Sequence, residues 1–292
     1  MEVMRIMTMP HKGHTNRLLG YPVDARLLLI NADDFGLCHA VNDAIFRTIT
    51  DGLVRSTTLM MPCPWAMHAM QLLKQHPDIA FGVHLTVICD TVNYPFGPLT
   101  PTDQVLSLLD ETGSFFSFER MPELLAQAEL RELEAEFRAQ IEAVLVAQLT
   151  PTHLDWHCLR FGNRPDIFDL MLALANDYGL ALRIFGQPAI ERVQRQGLPT
   201  NDYDFLDSFG LDLVNKAGRY AQLLRELPVG LSEWAVHPGL HTAELQALQP
   251  NGVQVRQTDY DFLMSQAAQK IVQAEGIILV DYRPLQALWR GR

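Results

Sequence analysis

Two aspartates, Asp33 and Asp34, stand side by side at the end of the run Leu27-Leu28-Leu29-Ile30-Asn31-Ala32. Adjacent carboxylates repel unless a positive group sits between or beside them, and a divalent cation is the simplest such group. The competing use of Asp34 is as cap of the helix that follows. A second stretch, Phe81-Gly82-Val83-His84-Leu85-Thr86, puts His84 and Thr86 on one strand face and Val83 and Leu85 on the other. A lone strand histidine is also an ordinary core residue. In Thr152-His153-Leu154-Asp155-Trp156-His157, the residues His153, Asp155 and His157 share one face. Three ionisable groups in a row are hard to explain as core packing, although a solvated edge strand would accommodate them. His157, nearest the strand's C-terminal end, is the better ligand candidate. Asp155 suits the fixing of an imidazole tautomer, with His153 beside it in a supporting or substrate-orienting role. A fourth stretch, Ser232 to Gly239, ends in His237-Pro238-Gly239, where proline stops the ladder.

Combined, Asp34, His84 and His157 make a two-histidine, one-carboxylate set that suits a divalent cation with open positions for water and substrate. Asp33 is then a carboxylate beside the cation, free to take a proton from water. His237 is a group that exchanges a proton near neutral pH and can donate it to a leaving group. This is the equipment of cation-assisted hydrolysis of an amide or ester. Two histidines and one aspartate accept Zn²⁺, Mn²⁺, Co²⁺ or Ni²⁺ readily, and Mg²⁺ less willingly because it prefers oxygen.

The elements that must carry these residues alternate. Strand-like segments are expected at 27–32, 56–61, 79–87, 152–158, 181–185, 232–237 and 276–282. Helical patterns are expected at 39–50, 65–75, 119–148, 164–178, 211–226 and 258–275. Val41, Ile45 and Ile49 repeat every four residues in the first helix, and Gly52 stops it. Repeated βα units imply a parallel sheet with right-handed crossovers, and about seven of them suit an α/β fold of (β/α) barrel type. Strand C-terminal ends are where such folds bind ligands. The stretches 88–118 and 186–210 read as long loops of the kind that shape a site. A single domain is expected over 25–292, preceded by a loosely ordered extension, 1–24, that lacks the apolar core of a secretory signal.

The chain has 292 residues, 48% hydrophobic and 20% charged, with a net charge of −11. That charge argues against nucleic acid or anionic membrane as the main partner and leaves small molecules open. No apolar stretch is long enough to span a bilayer. Cys38, Cys63, Cys89 and Cys158 show no paired spacing, as expected of free thiols in a reducing cytoplasm.

Taken in order, Asn31-Ala32-Asp33-Asp34-Phe35-Gly36, Gly82-Val83-His84-Leu85-Thr86, Pro151-Thr152-His153-Leu154-Asp155-Trp156-His157 and Val236-His237-Pro238-Gly239 resemble the YdjC-like family of carbohydrate deacetylases. Gly52 to Met60 looks like that family's second strand, and the resemblance runs from about Leu27 to the C-terminus. It implies a barrel-like fold related to polysaccharide deacetylases, one divalent metal ion (often Mg²⁺ or Zn²⁺), and hydrolysis of an acetyl amide on an amino sugar or short oligosaccharide. By resemblance Asp34, His84 and His157 are the ligands, Asp33 is the base and His237 the acid. Arg183 falls on a strand resembling one that approaches the family's site; it pairs with Asp33 or is an ordinary surface arginine. A homodimer is the assembly the resemblance suggests. The chain departs from the characterised chitooligosaccharide enzymes after His157, where Cys158-Leu159-Arg160-Phe161 replaces a run of histidines. An O-acetyl ester or phosphoester substrate, or a non-catalytic sugar-binding role, is the alternative. Trp65, Phe96, Phe115 and Tyr203 are candidates for stacking on sugar, or ordinary core and loop aromatics.

Overall fold

The computed structural model describes residues 13–162 and 164–290. Among these, ten strands form: β1 (Arg26–Phe35), β2 (Ser56–Leu59), β3 (Ala80–Leu85), β4 (Ile88–Cys89), β5 (Phe116–Ser117), β6 (His153–Trp156), β7 (Ala181–Leu182), β8 (Leu206–Asp207), β9 (Gly230–Val236) and β10 (Ile278–Val280). Eight make one parallel sheet in the order β7-β6-β3-β2-β1-β9-β8, with β10 also paired to β1. The sheet curls into an α/β half-barrel that does not close, since β7 and β8 do not pair.

β1 is the axis of the fold. Its first half, Leu27 to Leu29, pairs with β10, its second half with β2, and its length from Arg26 to Ala32 with β9. Leu27, Leu28, Leu29 and Ile30 are all fully buried, as an unbroken apolar run in a sheet covered on both faces must be. All seven expected strands form. Parallel pairing of β2, β3, β6 and β9 around β1 then brings the C-terminal ends of all of them to one rim.

The helices differ from the sequence pattern at their breaks. The segment 119–148 is two helices, Met121–Gln127 and Leu130–Val146. Ala128 leaves helical geometry (ψ 119°), and the Glu129 amide donates instead to Ser107 Oγ at 2.9 Å. The segment 258–275 is likewise Val253–Met264 and Gln266–Ala274, divided at extended Ser265, whose hydroxyl accepts from the Ala268 amide. The stretch 186–210 is not a plain loop: it holds helix Gln187–Arg195 and β8. The stretch 88–118 carries the small parallel pair β4–β5 and is tied down from below. Glu136 accepts from the Leu99 and Thr100 amides, and Glu132 from Ser107.

Within the described part of the expected extension, 13–24, a short helix is packed while Pro22 to Asp24 are exposed. Helix His14–Leu18 buries Thr15 and Asn16, and Thr15 Oγ1 donates to the Thr200 carbonyl. Residues 1–12 lie outside the described residues. Among the described residues no helix is long and apolar enough to cross a membrane.

Candidate active site

Strand alternation should point Asp33 and Asp34 to opposite faces, yet both serve one site. The reason is a bulge: the β1–β2 register shifts between Ala32 and Phe35, and Asp34 takes a left-handed conformation with φ 73°. Such a backbone costs a non-glycine residue about 1–3 kcal/mol, and aspartate tolerates it better than most. Asp34 does not cap the next helix, since the cap position of His39–Thr50 is Cys38.

Asp34 Oδ1 lies 3.3 Å from His84 Nε2 and 3.1 Å from His157 Nδ1. Its other oxygen accepts from Arg256 Nη2 at 2.5 Å. Asp33 is gripped by a guanidinium fork, Arg183 Nη1 to Oδ2 at 2.7 Å and Nη2 to Oδ1 at 2.8 Å, and Oδ1 also accepts from Asn31. Asp155 Oδ1 meets His84 Nδ1 at 2.7 Å, while its Oδ2 takes Thr58 Oγ1 at 3.0 Å and Arg183 Nη1 at 2.9 Å. Glu233 completes the anchoring of Arg183 and accepts from Tyr282 OH. Every one of these groups is buried.

Burial alone would raise both aspartates. The Arg183 guanidinium overrides it at Asp33, and Arg256 with His157 overrides it at Asp34, holding both below the usual carboxylate range. Burial opposes charge on His84, but the Asp155 carboxylate prevails and lifts it to about 9. His157 is lifted too, burial being outweighed by Cys158, Asp90 and Asp34.

The remaining expected residues divide. His237, 12% exposed, presents Nε2 3.9 Å from Asp33 Oδ2, and its Nδ1 shares a 2.8 Å hydrogen bond with Ser208 Oγ. Arg183 is a buried linchpin rather than a surface residue. His153 is not in position to orient a substrate. It is fully buried, stacked on Tyr282 with ring centres 3.5 Å apart, and bonded to Thr152. Burial and the nearby Arg183 lower its pKa, so it is a neutral packing piece beneath the Glu233–Tyr282 contact. Gly82 is what admits it, because a Cβ there would sit 2.7 Å from the His153 ring.

The aromatic candidates fare less well. Phe96 and Phe115 pack against each other in the core, Tyr203 OH is bonded to the Val229 carbonyl, and Trp65 sits with His39 and His68. Aromatics near the site come from elsewhere. Trp156 contacts Phe161 and Phe205, Phe205 contacts Phe185 and lies over Arg183, and Phe209 meets His237 edge-on at 4.7 Å. Arg256, Glu233, Asn31, Thr58 and Ser208 are residues that pattern reading missed. Two carried a signal: Glu233 as a lone charge inside the apolar strand β9, and Asn31 as a member of the Asn31-to-Gly36 motif.

The donor set fits a divalent cation. One oxygen and two imidazole nitrogens from Asp34, His84 and His157 lie within 4.8 Å of one another. Charge also fits: four buried carboxylates (Asp33, Asp34, Asp155, Glu233) outnumber two buried guanidiniums (Arg183, Arg256), and the two positive charges that raised His84 and His157 supply without a cation are what one divalent cation would replace.

Comparison with known proteins finds similar chains. Residues 27–274 match the family model described as YdjC-like protein. A carbohydrate deacetylase of Geobacillus stearothermophilus is 33% identical over 214 residues, covering 73% of this chain and 79% of the relative. A chitooligosaccharide deacetylase of Yersinia enterocolitica is 30% identical over 273 residues, covering 88% and 98%. A crystal structure from Enterococcus faecalis, under the working name cellobiose-phosphate cleavage protein, superposes with a TM-score of 0.78 at 29% identity over 89% of this chain and 99% of its own.

Proposed function

The chain belongs to the YdjC-like family, and from that premise we propose that it is a metal-dependent hydrolase removing an acetyl group from an N-acetylated amino sugar or short oligosaccharide. The observation that carries this reading is the division of labour at the β1 bulge: one carboxylate faces two imidazoles, and its neighbour is held apart on a guanidinium.

Asp34, His84 and His157 would hold the cation, which when bound would polarise the acetyl carbonyl and make a nearby water more acidic. The nitrogen-rich set favours Zn²⁺, Mn²⁺, Co²⁺ or Ni²⁺ over Mg²⁺. Asp33 Oδ1 has both lone pairs occupied, by Arg183 and Asn31, so Oδ2 is the atom with room to receive the water's proton. Arg183 keeps that carboxylate ionised and fixes its plane. His237, held by Ser208, presents Nε2 3.9 Å from Oδ2 and suits protonation of the departing amine. Phe205 and Phe209, flanking Arg183 and His237, offer apolar faces for a pyranose ring. The four unpaired thiols suit a reducing compartment such as the cytoplasm.

The test is acetate release from N-acetylated mono-, di- and trisaccharides, using metal-stripped protein and the same protein with Mg²⁺, Mn²⁺, Co²⁺ or Zn²⁺ restored. Release that requires a cation and vanishes in His84→Ala is the expected result. Release undiminished in stripped protein would overturn the metal-dependent reading. No release under any condition, with cleavage of O-acetyl or phosphoryl substrates instead, would overturn the amide assignment.

A further inference from the structure

Asp90, directly after β4, was not among the residues suggested by sequence. Its Oδ1 lies 3.0 Å from His157 Nε2, and both atoms are buried with no other hydrogen-bond partner. Its Oδ2 accepts from Gln249 Nε2 at 2.6 Å. Gln249 Oε1 accepts from Arg256 Nε at 2.6 Å, and Arg256 Nη2 donates to Asp34 Oδ2. Asp34 Oδ1 returns to His157 Nδ1. Five side chains thus form a ring, Asp34–His157–Asp90–Gln249–Arg256, joined by hydrogen bonds except between His157 and Asp90, which meet as an ion pair at 3.0 Å.

An imidazole offers a lone pair from one nitrogen when the proton rests on the other. For His84 the question is settled by Asp155 at Nδ1, leaving Nε2 toward Asp34. His157 is turned the other way round, with Nδ1 toward Asp34 and Nε2 toward Asp90. We propose that Asp90 is the positioning residue of His157, holding the proton on Nε2 so that Nδ1 is presented to the cation, and that Gln249 and Arg256 lock Asp90 to Asp34. This rests on the reading of Asp34, His84 and His157 as a cation set.

Asp90 differs from Asp155 in where it is mounted. It sits on a loop, with a side chain 17% exposed, rather than on a central strand. That loop is pinned to the segment before Val253–Met264: Val92 N donates to the Leu248 carbonyl, and Asn93 Nδ2 to the Ala247 carbonyl at 2.7 Å. The conformation of residues 90–93 is therefore coupled to the orientation of a metal ligand.

The test is Co²⁺ binding, by competition with a chromophoric chelator and by the visible spectrum of the bound ion, in wild type, Asp90→Ala, Asp90→Asn and Asp90→Glu. Thermal unfolding without cation checks that each variant folds, and the near-isosteric Asp90→Asn carries the test if Asp90→Ala does not. Expected are one equivalent in wild type, affinity roughly 10–100-fold weaker in the Ala and Asn variants with a shifted spectrum, and partial recovery in Asp90→Glu. Affinity within twofold of wild type in Asp90→Ala would overturn the proposal while leaving the cation set intact. Two equivalents in wild type, one of them lost in both Asp90→Ala and Cys158→Ser, would also overturn it. Asp90 would then itself be a ligand, since its carboxylate, His157 and Cys158 lie within 4.8 Å of one another. No binding in wild type would overturn the cation set and this proposal with it.

Discussion

Replacing Asp155 by asparagine separates two jobs that one carboxylate performs. Its Oδ1 holds His84 Nδ1 at 2.7 Å, and its Oδ2 takes Thr58 and Arg183 at 3.0 and 2.9 Å. An amide cannot serve both sides. With its oxygen toward His84, its NH₂ confronts the Arg183 and Thr58 donors. With its NH₂ toward His84, the ring must move its proton to Nε2, the nitrogen that faces Asp34. Loss of such an orienting partner typically weakens metal affinity 10–100-fold, about 1.4–2.8 kcal/mol. The lost charge-assisted bond to Arg183 adds about 1.5–3 kcal/mol of destabilisation, or roughly 3–12 °C in melting temperature for a chain of this size. Arg183 keeps Asp33 and Glu233, so the fold should survive.

A pH signature accompanies this. In cation-free protein His84 is raised from 6.5 to about 9, burial notwithstanding, by Asp155. Its protonation therefore stabilises the fold fully below pH 6.5, and that contribution is lost as pH rises through about 9. In Asp155→Asn the decline across that window should flatten. Chelator competition and melting curves from pH 6 to 9.5 measure both effects. An unchanged metal affinity alongside a lowered melting temperature would refute the reasoning, leaving Asp155 as an anchor for Arg183 and nothing more.

Two further outcomes are expected. Asp33→Asn should bind cation within a few-fold of wild type yet lose about 10²–10⁴ of its turnover, because the amide has no free proton-accepting oxygen; near-normal acetate release would remove Asp33 from the role of base. Gly82→Ala should destabilise by about 1–3 kcal/mol in denaturant titration, since the new methyl would lie 2.6 Å from the His153 carbonyl and 2.7 Å from its ring, and a neutral result would mean that the His153–Tyr282 stack shifts freely.

Legibility in the sequence followed physical locality. Asp33, Asp34, His84, Asp155 and His157 all sit at ends of buried parallel strands, where apolar runs and period-two alternation give each residue a face and a height. Those strands formed, and their residues converged. Arg256 and Gln249 had no such signal: one lies within a helix and the other just before one, and both reach Asp34 or Asp90 only because Val253–Met264 packs across the strand ends. Asp90 was hidden in a loop whose shape depends on hydrogen bonds to a segment over 150 residues away. His153 shows the opposite failure. Alternation correctly gave it the same face as Asp155 and His157, but two residues along a strand is about 7 Å, enough to move it from the rim into the packed interior. The helix breaks at Ala128 and Ser265 arise from hydroxyl groups of Ser107 and Ser265 capturing backbone amides, a competition that hydrophobic period does not register.

The β1 bulge has a consequence for how such a molecule can change over generations. Because the proposed base and the proposed ligand are consecutive residues, their separation is set by covalent geometry and one backbone twist, not by the docking of two mobile parts. Substitutions or insertions in 88–118 and 186–210 can reshape what the rim accepts without altering the distance between Asp33 and Asp34. Substrate preference would thereby be free to drift while the reaction chemistry stays put, so long as drift at the rim spares Asp90, the point where the 88–118 stretch reaches a strand end.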